Sequence, residues 1–133
     1  MNGSKALLDS NIVIYLSKRE LSVYFLDRFK FVFISVITYM EVLGYNFTDS
    51  REKDFVNELI SIFNVRFIDQ KIADVVIDIR KKYHTKLPDA IIAGTALVDG
   101  LCLVTRNIED FKNTDCTILN PFDEPGEPYP VIS

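Results

Sequence analysis

Three carboxylates stand alone in segments that carry no other charge. A chain that buries those segments must bring the acids to somewhere polar. Asp9 is the only charge in ALLDSNIVIYLS (6–17), Glu41 the only one in FVFISVITYMEVLGYNF (31–47), and Asp89 the only one in LPDAIIAGTALV (87–98). Removing a lone ionised carboxylate from water is costly, and the group either finds a partner or takes up a proton. One shared polar point resolves all three cases. A divalent cation held by oxygen ligands is the simplest such point.

The chain has 133 residues, enough for one domain with a substantial core. That domain is expected over residues 1–122. Pro125, Pro128 and Pro130 make residues 123–133 an extended, proline-rich tail. Hydrophobic residues make up 48% and charged residues 26%, a balance that excludes a disordered chain. The net charge of −4 excludes a uniformly basic surface, so any nucleic-acid contact rests on local cations. Part of that negative charge belongs to the proposed cation site. Cys102 and Cys116, the only two cysteines, lie in apolar segments and read as small buried hydrophobes, with no Cys/His spacing for zinc. MNGSK lacks the apolar stretch of a secretory signal, and no segment reaches about 18 apolar residues. The chain therefore reads as a soluble cytoplasmic protein with no membrane partner.

Strand and helix patterns alternate along the sequence. Strands are expected at 6–8, 32–35, 65–68, 101–105 and 117–119, from short β-branched or aromatic runs. Helices are expected after Asp9-Ser10-Asn11 through Glu20, at 22–30, from Val36 to near Gly44, at 51–63, from Asp69 to Tyr83, and from Pro88 to Gly100. Their inner faces are assigned to Val23, Leu26 and Phe29 at 22–30, and to Phe55, Leu59, Ile62 and Phe63 at 51–63. Ile72, Val75, Val76 and Ile79 serve the next helix, and Ile92, Ala93, Ala96 and Leu97 the last. The alternation implies an α/β layer fold with a mostly parallel sheet of four to five strands.

Ligands of such sheets bind beyond the carboxyl ends of the strands. Asp9 follows the first strand, and Thr105, Arg106 and Asn107 follow the fourth. Asp89 lies in the first turn of its helix, where the dipole favours a negative charge. Glu41 is mid-helix, on a face with Thr38 and Tyr45, where no capping role explains it. Acids gathered this closely repel one another unless Mg²⁺ or Mn²⁺ lies between them. A metal-held water and a metal-bound phosphate oxygen then point to hydrolysis of a phosphodiester. Lys81, Lys82, Lys86 and Arg106 are candidate contacts to a nucleic-acid backbone, Arg106 foremost because it adjoins the strand edge. His84, the single histidine, reads as a surface residue.

The segments LLDSNIVIYL (7–16), SVITYMEVLGY (35–45), KLPDAIIAGTAL (86–97), LVTRNIEDF (103–111) and TILNPF (117–122), in this order, resemble a PIN-domain ribonuclease. The resemblance is greatest to the VapC-type toxins of bacterial type II toxin–antitoxin pairs. It implies a three-layer α/β/α domain, Mg²⁺- or Mn²⁺-dependent endoribonuclease activity on RNA, a homodimer and a small inhibitory antitoxin. By position, Asp9, Glu41 and Asp89 match the family's first three acids and are the implied metal ligands. Asn11 matches the polar residue two positions after the first acid, and Thr105 the threonine that ends the fourth strand; with Arg106 these are the substrate-binding candidates. The fourth acid falls to Asn107, where many relatives carry aspartate, or to Asp110 three residues later. Two other readings compete. A phosphatase using Asp9 as nucleophile calls for a second aspartate where Asn11 stands. A non-catalytic PIN-like module would bind protein or RNA without cutting.

Overall fold

The computed structural model describes residues 4–123, so the expected tail lies almost wholly outside the described residues. Five parallel strands form one sheet in the order β3-β2-β1-β4-β5. They are β1 (Lys5–Leu8), β2 (Phe31–Ser35), β3 (Asn64–Arg66), β4 (Cys102–Val104) and β5 (Ile118–Leu119). The helices are α1 (Ser10–Ser17), α2 (Val36–Leu43), α3 (Ser50–Ile62), α4 (Gln70–Tyr83) and α5 (Leu87–Asp99). The sheet grows outward from β1. Leu7 lies opposite Phe33 on one side and opposite Leu103 on the other. The chain thus leaves β1 toward β2 and later returns to its other flank as β4. That reversal of direction opens a crevice at the carboxyl ends of β1 and β4.

Side-chain alternation along the strands divides the core between the two faces of the sheet. Ala6, Leu8, Ile34 and Val104 pack with Ile12 and Leu16 of α1 and with Val56 and Leu59 of α3. Leu7 and Leu103 point the other way, toward Ile72 and Val76 of α4 and Ile92 and Ala93 of α5. On that second face α4 and α5 meet at Gly94, where an added Cβ would lie 2.9 Å from Val76 Cγ2. Glycine is needed there for its missing side chain; the helix permits any backbone. Arg66, at the end of β3, ties this layer down. Its Nε donates to Asp99 Oδ2 at 2.6 Å, and its Nη2 to Asp69 Oδ2 at 2.9 Å.

Short capping side chains start the helices. Ser35 Oγ accepts from Ile37 N at 3.1 Å, Asp49 Oδ1 from Arg51 N at 2.9 Å, and Asp69 Oδ1 from Ile72 N at 2.9 Å. Gly100 closes α5 in the left-handed region (φ 64°).

Several local expectations need correction. The segment expected as a helix over 22–30 is a 3₁₀ turn, Val23–Arg28, with Phe25 and Phe29 buried and Val23 exposed. Six residues capped by Ser22 are too few for the α-helical stripe that the i, i+3 pattern implied. The first helix stops at Ser17 rather than Glu20, and Arg19 turns through φ 60°. β3 begins one residue early and ends at Arg66, which leaves Phe67 and Ile68 exposed. On α3 the buried stripe is Val56, Leu59, Ile60 and Phe63, while Ile62 is 71% exposed. On α5 every residue from Ala90 to Ala96 is buried and Leu97 is exposed, because the helix is wedged between α4 and the sheet. Cys102 is buried and Cys116 half-buried.

Candidate active site

Asp9 leaves β1 at its carboxyl end, and its backbone N–H extends the ladder to Val104 O at 3.0 Å. The side chain is almost fully buried. Its two oxygens have separate donors. Oδ1 accepts from the backbone N–H of Ser10 at 2.7 Å, and Oδ2 accepts from the hydroxyl of Thr105 at 2.8 Å. Thr105, directly after β4, is itself oriented by the backbone N–H of Asn107, which donates to its Oγ1 at 3.0 Å. The neighbouring strand end thus holds the carboxylate in place.

Glu41 approaches from α2. Ser10 Oγ donates to Glu41 Oε1 at 2.5 Å and lies 3.0 Å from Thr38 Oγ1. A hydroxyl has one proton, so a serine that donates to Glu41 leaves Thr38 to donate to it. Ser10 therefore links the first two acids, through its backbone N–H to Asp9 and its hydroxyl to Glu41. From sequence Ser10 is only part of the Asp9-Ser10-Asn11 helix start. Its link to Glu41 spans 31 residues, and no local pattern announces it.

Asp9, Glu41, Asp89, Asn107 and Asp110 line one cleft of about 300 Å³, together with Asn11 and Tyr45. Asp89 is half-buried in the first turn of α5, beside Pro88. Burial lifts its carboxyl to about 6, helped by the charges of Asp110, Asp9 and Glu41 and opposed by Lys86. Burial likewise raises Asp9. The hydrogen bonds from Thr105 and Ser10 oppose that rise, and the charges of Glu41 and Asp110 add to it. Asp9 and Asp89 thus both feel the charges of Glu41 and Asp110 across the cleft.

Of the residues singled out from sequence, six line this cleft: Asp9, Asn11, Glu41, Asp89, Asn107 and Asp110. Thr105 is buried behind Asp9 as its hydrogen-bond donor. Arg106 is not among the lining residues. Its guanidinium stacks 4.2 Å from the ring centre of Phe122 and 5.4 Å from that of Tyr15. Asn107 and Asp110 both line the cleft.

The lining donors are carboxylate and amide oxygens, the set that suits a hard divalent cation and not a soft one. The mutual repulsion recorded in Asp9 and Asp89 is the charge imbalance such an ion offsets. Among the described residues, however, no three His, Cys, Asp or Glu side chains stand close enough together to grip a metal without moving. The chemistry of the set fits such an ion.

Comparison with known proteins bears on this arrangement. No curated protein matches the chain. The fold is similar to a chain of a toxin–antitoxin complex from Klebsiella pneumoniae, at 37% identity and TM-score 0.73, over 87% of this chain and 97% of that one. It is similar to VapBC from Salmonella typhimurium, solved bound to DNA, at 27% identity and TM-score 0.76, over 88% and 98%. FitAcB from Neisseria gonorrhoeae aligns at 26% identity and TM-score 0.71, over 90% and 99%. The profile described as PIN domain matches residues 6–115, which include all four acids of the cleft. The chain belongs to the PIN domain family and is a VapC-type member of it.

Proposed function

We propose that the chain is a metal-dependent endoribonuclease that hydrolyses RNA phosphodiester bonds and serves as the toxin of a toxin–antitoxin pair. The observation that carries this reading is the single cleft at the ends of β1 and β4 lined by Asp9, Glu41, Asp89 and Asp110. In this reading Asp9, Glu41 and Asp89 hold Mg²⁺ or Mn²⁺, with Asn107 and Asp110 completing the catalytic set. When bound, the ion supplies charge against a phosphate oxygen and makes water a stronger nucleophile near neutral pH. Thr105 and Ser10 keep the Asp9 oxygens oriented, and Ser10 holds Glu41 toward the same point. Asn11 and Asn107 offer amide donors to substrate oxygens from two sides of the cleft. Arg106, stacked and charged, contacts the RNA backbone from beside the cleft.

The printed descriptions of similar chains support a protein partner: one is a toxin–antitoxin complex and another is VapBC. The partner's surface on this chain includes α2, where Tyr39, Met40 and Leu43 are exposed next to Glu41. A homodimer and a cytoplasmic setting complete the proposal. Among the described residues no helix is long and apolar enough to cross a membrane.

A second reading, a PIN-like module that binds without cutting, draws on the absence of a pre-closed metal cluster among the described residues. One experiment separates the two. Purified protein freed of any partner is incubated with single-stranded RNA and Mg²⁺ or Mn²⁺, with and without EDTA. Cleavage that requires the ion and is lost in Asp9→Asn and Glu41→Gln, both still folded by circular dichroism, is the expected result. Activity that survives EDTA contradicts the metal-dependent mechanism, and inactivity under all conditions favours the binding module.

A further inference from the structure

The acid cleft does not end at Asp89 and Asp110. These two residues also form a wall of a second polar cleft, of about 200 Å³, whose far side includes Tyr83, His84, Lys86 and Asn113. The two cavities therefore meet along one ridge of carboxylates. The second has a composition that the first lacks.

Lys86 is the lysine whose charge acts on Asp89. Among the described residues it has no salt-bridge partner, whereas Lys82 is paired with Asp78 at 3.2 Å and Lys112 with Glu109 at 2.7 Å. Tyr83, the last residue of α4, is 39% exposed and lines the cleft. His84 turns the chain through the left-handed region (φ 54°, ψ 32°), a conformation that non-glycine residues rarely adopt. That turn lets the chain double back from α4 into α5, so that Tyr83 and Lys86 line the same hollow. Arg80 Nε donates to Thr85 O at 3.3 Å and braces the turn. Asn113, which also lines the hollow, carries an amide that can donate and accept.

Glu109 also lines the hollow, its charge offset by Lys112; with it stand an unpaired cation, an exposed aromatic and an amide, a set that recognises one nucleotide: phosphate, base ring and base edge. The carboxylates on the shared ridge would repel a bare phosphate there, so the phosphate belongs on the Lys86 side. We propose that this second cleft is a nucleotide subsite that takes the ribonucleotide next to the cut phosphodiester, with Lys86 on its phosphate, Tyr83 against its base and Asn113 at the base edge. The proposal rests on the reading of the first cleft as the place of RNA cleavage. It adds a direction for the strand, from the acids across the Asp89–Asp110 ridge toward the end of α4.

The test uses a short fluorescent single-stranded RNA of mixed sequence and measures two quantities. The first is RNA affinity by anisotropy in the cleavage-silenced Glu41→Gln protein. The second is KM and kcat in the otherwise wild-type protein. Lys86→Ala and Tyr83→Ala should each weaken affinity by about tenfold, the scale of one lost phosphate or stacking contact, and raise KM more than they lower kcat. Lys86→Arg and Tyr83→Phe should restore most of the loss. Lys71→Ala, the same charge change at the far end of α4, should stay within about twofold of its parent in both assays. Affinity and KM unchanged in both alanine variants, with wild-type cleavage intact, would overturn the subsite alone. RNA that binds but is never cut removes the reading on which the subsite rests. An equal loss for Lys71→Ala replaces the subsite with a diffuse field effect.

Discussion

Ser10 is joined to two acids that lie 32 positions apart in the chain, with its N–H on Asp9 and its hydroxyl on Glu41. Glu41 is exposed on a helix flank and, without that hydroxyl, is free to sample other rotamers. Ser10→Ala is therefore expected to lower kcat for RNA by tenfold or more, on the scale of a lost hydrogen bond to a charged group. Its melting temperature should stay within a few degrees of the parent. Ser10→Thr keeps the hydroxyl and should recover most of the rate; equal loss in both variants would mean that the hydroxyl is not what matters. The sequence announced the acids but not this connection. A lone charge in an apolar run is conspicuous because burial is costly, so Asp9, Glu41 and Asp89 could be picked out. A serine after an aspartate at a helix start has an ordinary capping explanation, and its distant partner leaves no trace in local pattern. The stacking of Arg106 is invisible in sequence for a related reason. Its place after β4 is visible in sequence, whereas the rings of Tyr15 and Phe122 that draw it aside come from distant parts of the chain.

Among the elements, α5 is the most confined, buried through two full turns and pressed against α4 at Gly94. Gly94→Ala gains roughly 1 kcal/mol of helix propensity but pushes a methyl to within contact distance of a β-branched valine, at a cost of roughly 1–3 kcal/mol. A net loss of about 1 kcal/mol is expected in urea denaturation. In the Gly94→Ala background, Val76→Ala should cost less than in the parent, because it removes the methyl that clashes. Additive losses would show that the two helices are not packed as described. The strongly periodic elements were legible: the α4 face of Ile72, Val76 and Ile79 is buried as its spacing implies. The segment after α1 was not. Phe29 is buried and Leu26 packs on the core as their spacing implies, but the short 3₁₀ turn leaves Val23 exposed and buries Phe25, which that stripe omits. Ile62 misled in the same way, since one apolar residue beside a stripe does not say which side of it faces inward.

At the scale of the molecule, the parallel order β3-β2-β1-β4-β5 puts the direction reversal at β1 and β4, and with it a concentration of negative charge. That concentration makes stability depend on pH. Asp89 has its folded pKa raised to about 6 from 3.8, so the folded state keeps a proton that the unfolded chain releases. The penalty is absent below about pH 4, grows through the window from 4 to 6 and is complete above it. Asp9 shifts in the same direction. Metal-free protein should therefore lose stability between about pH 4 and 6. For Asp89 the loss is about 1 kcal/mol once its partial exposure is allowed for, or about 4 °C in melting temperature. Asp89→Asn should remove that slope and melt above the parent at pH 7, and a parent that gains stability over this range would contradict the electrostatic account. The most direct measurement of the central claim is an anomalous-difference map from crystals soaked in Mn²⁺. A peak bounded by the carboxylates of Asp9, Glu41 and Asp89, and lost in Asp9→Asn crystals, is the expected result. Diffraction data that show manganese elsewhere, or none in the cleft at saturating concentration, would contradict it.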